Sequence, residues 1–379
     1  MKFLGFQESQ FFRKYLLPGI IAQSVAIAGG YGTGREIVEY FVKYGPVGGL
    51  LGIIVTFVIW EIIAIATFEF ARLFKAYNYR DFFSKLVGKF WILFDISYWV
   101  LLLLVLAVCV SAAGSILQAT FGLNYYIGVI GMAIGIGILV IIGKEAIEHA
   151  LSVWTYVLYV VYIITMIAAF VTFGGSTIFK TFGLEKAILP GWALSGFKYG
   201  LYNSVTFIIV LFSLNYIETR KEAIVSGAIA PVITIVPAIV LIFAMLAKYP
   251  GVVKETTPIT LILNSINSKP LIAAFEITLF GTLIETGTGF IFTLHERVAS
   301  IYEGKKTKMP RQISVIITVG ILVAAILIAK FGLIALIAKG YGTISWVFLL
   351  VYAIPIVSIG VWRIFKEEKR KHFKEASSS

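Results

Sequence analysis

Charged residues are scarce in this 379-residue chain, and their scarcity excludes an ordinary soluble protein. Only 14% of the residues are Asp, Glu, Lys or Arg, whereas a soluble domain carries roughly a quarter. Hydrophobic residues make up 59% of the chain, and the mean hydropathy is +0.93. Because too few polar side chains remain to cover the surface, the composition predicts that lipid is the solvent for much of the molecule.

Cysteine and histidine are also rare, which removes several kinds of chemistry. The single cysteine, Cys109, cannot form a disulfide within the chain, so the fold does not depend on oxidation. The histidines, His149, His295 and His372, form no pair at a metal-ligand spacing. No Gly-Lys-Ser/Thr sequence follows the glycines at 29–34, so this segment is not a nucleotide-binding Walker loop. We therefore expect neither an enzyme nor an organic cofactor.

Long apolar segments predict the fold class. A transmembrane helix needs about 20 mainly apolar residues, and ten segments meet this requirement with the first and sixth interrupted. They cover residues 12–44, 46–74, 90–120, 125–142, 145–173, 192–216, 222–247, 270–302, 312–329 and 341–364. The sequence thus predicts an all-α polytopic membrane protein of about ten transmembrane helices in one domain, 1–379. The more polar segment 250–267 is predicted to be an outer loop with a short helix that acts as a lid.

The distribution of basic residues predicts the orientation. Of the 32 Lys and Arg residues, 22 lie in the termini and loops that this layout places on one side, and 9 lie in the loops on the other. Basic residues concentrate in cytoplasmic loops, so both termini are predicted to be cytoplasmic in a multi-pass protein of the cell membrane. The net charge of +12 is explained by these loops and the anionic lipid headgroups they meet, and no nucleic-acid partner is expected.

The first predicted helix contains an unusual glycine cluster. The segment 28–36 reads Ala-Gly-Gly-Tyr-Gly-Thr-Gly-Arg-Glu, and glycine lowers the cost of leaving helical dihedral angles. Thr33 and Glu36 have the spacing of a capping box, which predicts a new helix that starts at Thr33. We expect two half-helices joined by an extended break at 28–32. Exposed backbone groups inside a bilayer persist only where they line a cavity or are buried in protein. A close-packed glycine face with Gly30 and Gly34 four residues apart is the alternative interpretation.

A second break is expected at the corresponding place in the other half of the chain. The candidate is 199–206, which reads Tyr-Gly-Leu-Tyr-Asn-Ser-Val-Thr; a continuous helix with a polar face is the alternative. Five predicted helices precede a polar linker and five follow it, giving repeat one at 12–173, repeat two at 192–364 and a cytoplasmic tail at 365–379. Because five is odd, the second repeat must be inverted relative to the first, as in inverted-repeat transporters.

The glycine segment resembles a known signature. Residues 29–37, Gly-Gly-Tyr-Gly-Thr-Gly-Arg-Glu-Ile, are similar to the Gly-Ala-Gly-Phe-Ala-Ser-Gly-Gln-Glu-Ile signature of the YkvI family. These prokaryotic membrane proteins are placed near the amino acid–polyamine–organocation (APC) superfamily. Arg35 stands where that family has Gln. The resemblance implies a LeuT-type fold, a 5+5 inverted repeat with broken helices 1 and 6. It also implies a solute site between the broken helices and helices three and eight.

The candidate site residues follow from the two breaks and from polar groups inside the membrane. For the substrate they are Ala28, Gly29, Gly30, Tyr31, Gly32, Thr33, Tyr202, Asn203, Ser204, Phe207 and Thr282. For Tyr31, Tyr202 and Phe207 the alternative is that the ring only packs in the core. Tyr98 and Trp99 are expected in the interfacial belt. The candidates for cation coupling are Glu285, Thr286, Thr288, Glu36 and Glu61, since ionisable groups in a span usually face a cavity or a partner.

The coupling ion is left open between Na⁺ and H⁺. The resemblance implies Na⁺ coordination by Ala28, Tyr31, Thr286 and Thr288, although Gly287 separates hydroxyl residues that are usually adjacent in such sites. Glu285 is an alternative proton carrier, and threonines bonded to their own helix with Glu285 paired to a distant cation are the structural alternative. For Glu36, capping and ligand roles are equally favoured. Arg35 is expected to pair with Glu39, four residues on.

The predicted function is secondary active transport of a small organic solute, an amino acid or an amine, by alternating access. A non-transporting membrane sensor or assembly subunit that retains the fold is the alternative. Solute flux in proteoliposomes separates the two. The expected partners are a small-molecule substrate and the lipid bilayer.

Overall fold

The computed structural model describes residues 9–27, 29–142, 144–184, 188–304, 307 and 309–376. Within these ranges every regular element is helical and no β-strand is present. In the first half the helices are α1 (Leu17–Ala26), α2 (Gly29–Gly32), α3 (Arg35–Tyr40), α4 (Gly45–Phe74), α5 (Tyr79–Val87), α6 (Trp91–Phe121), α7 (Tyr125–Ile142) and α8 (Lys144–Leu184). In the second half they are α9 (Trp192–Asn203), α10 (Thr206–Ile209), α11 (Arg220–Leu246), α12 (Pro258–Ile266), α13 (Lys269–Gly304), α14 (Arg311–Ala329), α15 (Leu333–Ala335), α16 (Gly342–Phe348) and α17 (Val361–Ala376).

Tighter and wider helical turns connect or extend these helices. The 3₁₀ turns are Val42–Tyr44, Gly88–Phe90, Val210–Tyr216 and Gly251–Lys254. The π-helical turns are Phe12–Leu16, Leu336–Tyr341, Leu349–Ala353 and Ile356–Gly360. Gly174 has non-helical dihedral angles inside α8, at the end predicted for the fifth span.

Eight helical segments of the described chain are long and apolar enough to cross a membrane. Their outer faces are apolar: Ile54, Val58 and Ile62 follow each other at spacings of four on α4 and are each about half exposed. A spacing of four keeps residues on one face of a helix, and here that face meets lipid. The predicted polytopic helical membrane protein is therefore confirmed. The first predicted span is divided into short helices, and Val160–Gly174 is a shorter apolar helix within the fifth, so the count of ten stays a prediction.

Small residues bring α4 into close contact with α9 and α11. A Cβ atom on Gly196 would collide with the backbone of Gly52, and one on Gly227 would lie 2.8 Å from the Cα atom of Ile65. Because the backbones are so close, side chains reach carbonyls across the interface: Thr56 Oγ1 donates to Gly196 O at 2.8 Å. Such close packing of small residues is the usual basis of helix association in membranes.

The helices form two groups that meet at the short helix α2. In one group α4 packs on α9 and α11, and α11 packs on α1. In the other group α6 packs on α7 and α14, and α13 packs on α8, α6 and α7. The glycine turn α2 belongs to the first predicted span, yet it contacts α6 and α13 of the second group. The interrupted span therefore lies where the two groups face each other.

Candidate functional site

The first predicted span is interrupted at two points. Helix α1 ends at Ala26, the ψ of 73° at Ile27 is not helical, and Ala28 lies outside the described residues. Helix α2 then makes a single turn, and Gly34 follows with a φ of +77°. A residue with a side chain rarely adopts this left-handed conformation. The helix resumes at Arg35.

Three details of the expected break are wrong. Gly29–Gly32 forms a helical turn rather than extended backbone. The second half-helix begins at Arg35 with Gly34 as its N-cap, and no side chain caps it. Thr33 Oγ1 donates instead to Gly30 O at 2.9 Å, and the Glu36 carboxylate accepts from Tyr202 and Asn203. The capping-box prediction fails because both side chains find better partners.

The Glu36 carboxylate lies between the two interrupted spans. Its Oε1 atom accepts hydrogen bonds from the hydroxyl of Tyr202 and from Asn203 Nδ2 at 3.3 Å. A Cβ atom on Gly30 would lie only 2.5 Å from Glu36 Oε2, so the absence of a side chain at position 30 makes room for the carboxylate. Glu36 is 3% exposed. The structure thus brings the predicted residues Glu36, Tyr202 and Asn203 together.

Tyrosine rings surround this carboxylate. The ring of Tyr202 stacks on Tyr341 with centroids 4.8 Å apart and contacts Tyr40 and Tyr199 at 5.6 Å and 5.5 Å. Tyr40 donates to Ile337 O at 3.1 Å, which fixes α3 to the π-helical turn Leu336–Tyr341. The faces of aromatic rings attract cations, and a buried carboxylate does so more strongly. The site therefore has the chemistry of a cation receptor.

A cavity of about 50 Å³, here called the Glu36 cavity, opens beside the carboxylate. It is bordered by the predicted first, third, sixth, eighth and tenth spans. The residues that carry its chemistry are Glu36, Tyr98, Tyr202, Asn203, Thr206 and Tyr341. The hydroxyl of Thr206 is buried and has no hydrogen-bond partner among the described residues, so it is available to a bound molecule.

A wider cavity of about 400 Å³, here called the vestibule, adjoins the Glu36 cavity on one side. The two share Tyr98 and Ile209 in their linings. The vestibule extends to the connection between α4 and α5, where Tyr77, Asn78 and Tyr79 line it. The vestibule therefore lies next to the Glu36 cavity, on the side of this connection.

The opposite side of the break is covered by the segment 251–266. Arg35 Nη1 donates to the carbonyls of Val253 and Glu255, each at 2.9 Å, and Ile259 N donates to Thr33 O at 3.1 Å. Arg35 also pairs with Glu39 at 2.7 Å, which confirms the predicted pair, and Lys43 is the second partner of Glu39. Backbone and charge contacts together hold this cover over the interrupted span.

Several predicted substrate residues are used for packing or local hydrogen bonds. Ser204 donates to Leu201 O at 2.6 Å and Thr282 to Thr278 O at 3.0 Å, each within its own helix. The ring of Phe207 is fully buried and packs edge-on against Trp60. Tyr31 is buried with no partner for its hydroxyl in the described chain. The second predicted break is a tightened turn with helical dihedral angles at Ser204 rather than an unwound segment.

The candidate cation residues are spread around their helices. On α13, Leu279 and Leu283 lie nearest to the glycines of α2. Glu285 follows Leu283 by two residues and therefore points roughly 200° away around the helix axis. Thr288 is buried, and its hydroxyl lacks a hydrogen-bond partner among the described residues. Glu61 is half-buried on α4 and does not line the Glu36 cavity.

The described residues contain no cluster of three His, Cys, Asp or Glu side chains that could hold a metal ion. The predicted Na⁺ ligand Ala28 lies outside the described residues, so the Na⁺ site stays a prediction. Three residues with polar side chains that line the cavity were not among the predicted ligands: Tyr98, expected in the interfacial belt, Thr206 and Tyr341. Thr206 lies in the polar stretch 199–206 and could have been found there. No local signal marks Tyr341, because its stacking partner Tyr202 is distant in sequence.

Comparison with known proteins gives a relative and a fold. No protein-family model matches the chain. The chain is 23% identical over 333 residues to the uncharacterized membrane protein YkvI of Bacillus subtilis (strain 168), covering 85% of this chain and 90% of that protein. The predicted resemblance to YkvI is confirmed. The resemblance of the chain to YkvI therefore extends far beyond the nine residues of the glycine segment.

Among solved structures, the chain is similar to the manganese transporter of Eremococcus coleocola, crystallised in complex with an aromatic bis-isothiourea substituted compound. The TM-score is 0.50 at 16% identity, and the match covers 93% of this chain and 79% of the transporter. At this identity the similarity concerns the fold alone. The helices of the chain are thus arranged as in a protein that carries a solute across a membrane.

Proposed function

We propose that the protein is a secondary active transporter that moves a small organic solute across the cell membrane by alternating access. The observation that carries the proposal is the Glu36 cavity. A buried carboxylate at an interrupted span faces a small cavity that adjoins the vestibule on one side and is covered on the other by 251–266. A one-sided path to a central site is what alternating access requires of each end state.

The transport proposal includes the LeuT-type 5+5 arrangement. In such a repeat, spans one to five correspond in order to spans six to ten. The contact of α4 (span two) with α9 (span six) then corresponds to the contact of α11 (span seven) with α1 (span one). The contact of α6 with α14 corresponds in the same way to that of α13 with α7. All four contacts are present, which supports an internal repeat. The similarity to a transporter fold supports the same proposal.

Solute flux tests the function directly. The purified chain in proteoliposomes is expected to accumulate a radiolabelled solute when a Na⁺ or H⁺ gradient is imposed, and Glu36→Gln is expected to abolish accumulation. Glu276→Gln is the matched control, because Glu276 is also a buried carboxylate but bonds to Thr120 away from the cavity. Saturable binding without flux under any gradient would instead favour a membrane sensor.

We also propose that α13 contributes to coupling. The buried, unpartnered hydroxyl of Thr288 supports a Na⁺ ligand, since hard cations prefer oxygen ligands. If Na⁺ drives transport, Thr286→Ala or Thr288→Ala is expected to weaken the Na⁺ dependence of solute uptake by tenfold or so, the loss of roughly one strong ligand bond.

If H⁺ drives transport, Glu285→Gln is expected to abolish the pH dependence while solute binding stays measurable. Uptake measured against Na⁺ concentration and against pH in the three variants decides between the two ions. Wild-type behaviour in all three would remove α13 from coupling and leave Glu61 and Glu36 as the candidates.

A further inference from the structure

The Glu36 cavity contains an anionic group without a cationic side chain. Among the described residues that line it, none is Lys, Arg or His. Arg35 is adjacent to Glu36 in sequence, but its guanidinium is bound to Glu39 and to the carbonyls of Val253 and Glu255. A buried carboxylate without a cationic partner is expensive in a membrane protein. A cationic ligand would supply the missing charge.

Three oxygen acceptors converge on this cavity. The hydrogen bonds from Tyr202 and Asn203 both go to Oε1 of Glu36, and no described residue donates to Oε2. The amide of Asn203 donates to Glu36 through Nδ2, so its Oδ1 remains available as an acceptor. Thr206 Oγ1 is buried without a partner in the described chain. A primary ammonium group has three N–H donors and no acceptor, which matches this set.

The N–H groups of Thr33, Gly34 and Arg35 at the break already have acceptors within the chain and are not free to bind a solute carboxylate. In LeuT-type proteins the start of a half-helix is expected to bind an anion through free N–H groups. Here Thr33 N donates to Gly29 O and Gly34 N donates to Tyr31 O, while Arg35 N lies 3.4 Å from Thr33 Oγ1. The carboxylate of Glu36 already occupies the space over Gly30. The anion at this break is therefore supplied by the protein itself.

We propose that the solute is a small primary amine without a carboxylate, whose ammonium group binds Glu36, Asn203 and Thr206. This inference rests on the proposed transport function and assigns its substrate class. A second carboxylate in the cavity would face Glu36 with no cationic side chain to offset the repulsion. The tyrosine rings of the cavity, like the Glu36 carboxylate, favour a positively charged ligand.

The volume of the cavity limits the size of the amine. A volume of about 50 Å³ holds roughly three to five water-sized groups. Ethylamine and ethanolamine have this size, whereas the vestibule of about 400 Å³ admits much larger molecules. The Glu36 cavity therefore selects against long amines and the vestibule does not.

Thermal-shift titration of the purified full-length protein tests the substrate class without requiring flux. Ethylamine and ethanolamine are expected to raise the melting temperature saturably, because a ligand of the native state stabilises it. Glycine and β-alanine, which add a carboxylate to a small amine, are expected to have no effect at the same concentrations. Tetramethylammonium has the charge but no N–H donor, and it is expected to bind at least about tenfold more weakly.

Variants locate the binding to the Glu36 cavity. Glu36→Gln keeps the shape and the hydrogen bond from Tyr202 but removes the charge, and it is expected to weaken ethylamine binding by roughly tenfold or more. Thr206→Val is expected to weaken it severalfold, since one acceptor is lost. Glu276→Gln is expected to bind ethylamine as the wild type does. Equal binding of glycine and ethylamine, no binding of either amine, or unchanged affinity in Glu36→Gln would overturn the assignment.

Flux measurements separate this inference from the transport proposal. Amine binding without amine flux would overturn transport and leave the ligand class in place. Flux of a carboxylate-bearing solute that ethylamine does not inhibit would overturn the ligand class and leave transport in place.

Discussion

Glu36 shows how far a single residue can be interpreted from its neighbours in sequence. The spacing of Arg35 and Glu39 predicts an ion pair, and the structure contains it, because both partners lie on one turn of helix. The spacing of Thr33 and Glu36 predicts a capping box, and the structure contradicts it. The partners of Glu36 lie 166 and 167 residues away. No local pattern encodes contacts at that separation, so the role of Glu36 required the fold.

Gly34 is the residue whose conformation sets the direction of α3. Gly34→Ala is expected to lower the melting temperature, because a left-handed alanine costs about 1–2 kcal/mol and its Cβ would collide with Met245. Gly122→Ala is the matched control: Gly122 has the same left-handed conformation, with φ +66° and ψ 14°, and nothing lies within 4 Å of a Cβ there. Thermal unfolding in detergent is expected to show a larger loss for Gly34→Ala. Equal losses would show that the collision is relieved without cost.

At the scale of elements, the glycine cluster predicts an interruption but not its form. Glycine permits many backbone conformations, and tertiary contacts choose among them: Ile259 N binds Thr33 O, and Leu279 and Leu283 pack against the turn. The polar stretch 199–206 carries a weaker signal, and its backbone stays helical at Ser204. The sequence thus predicts where the first helix is interrupted, whereas the neighbouring helices determine how.

Arg35 connects the interrupted span to its cover. Arg35→Gln is expected to loosen 251–257, because two hydrogen bonds from a charged group to the carbonyls of Val253 and Glu255 are lost or weakened. Hydrogen–deuterium exchange of the backbone amides of 251–257 is expected to accelerate by roughly tenfold or more.

Lys254→Gln serves as the control for the cover, since the side chain of Lys254 is exposed. Unchanged exchange in Arg35→Gln would mean that the backbone bond of Ile259 to Thr33 holds the segment by itself.

At the scale of the whole molecule, composition alone predicts a polytopic helical membrane protein, and the structure confirms it. Apolar run length predicts the helices because a bilayer requires every backbone group to be satisfied within a helix. Which helices pack against each other depends on small residues such as Gly52 and Gly196. The periodicity of the sequence does not predict which of these residues contact each other. The orientation depends on where basic residues lie and stays a prediction.

Cysteine accessibility tests the orientation. With Cys109 replaced by alanine, an impermeant thiol reagent added to intact cells is expected to modify Lys254→Cys and not Lys371→Cys, because 22 of the 32 basic residues lie on the side of Lys371. The reverse labelling pattern would invert the topology. It would also place the vestibule on the external face of the membrane.

The unequal size of the vestibule and the Glu36 cavity has a pharmacological consequence. Consider an amine with a bulky tail that fits the vestibule of about 400 Å³ but not the Glu36 cavity of about 50 Å³. Its tail would stay in the vestibule, with the ammonium group directed toward Glu36. Such a molecule would block transport only when applied to the membrane face that carries Tyr77, Asn78 and Tyr79. Inhibitors of this type are therefore expected to act from one side of the membrane only. If the proposed transport of small primary amines holds, amines of increasing chain length are expected to change from transported solutes to inhibitors.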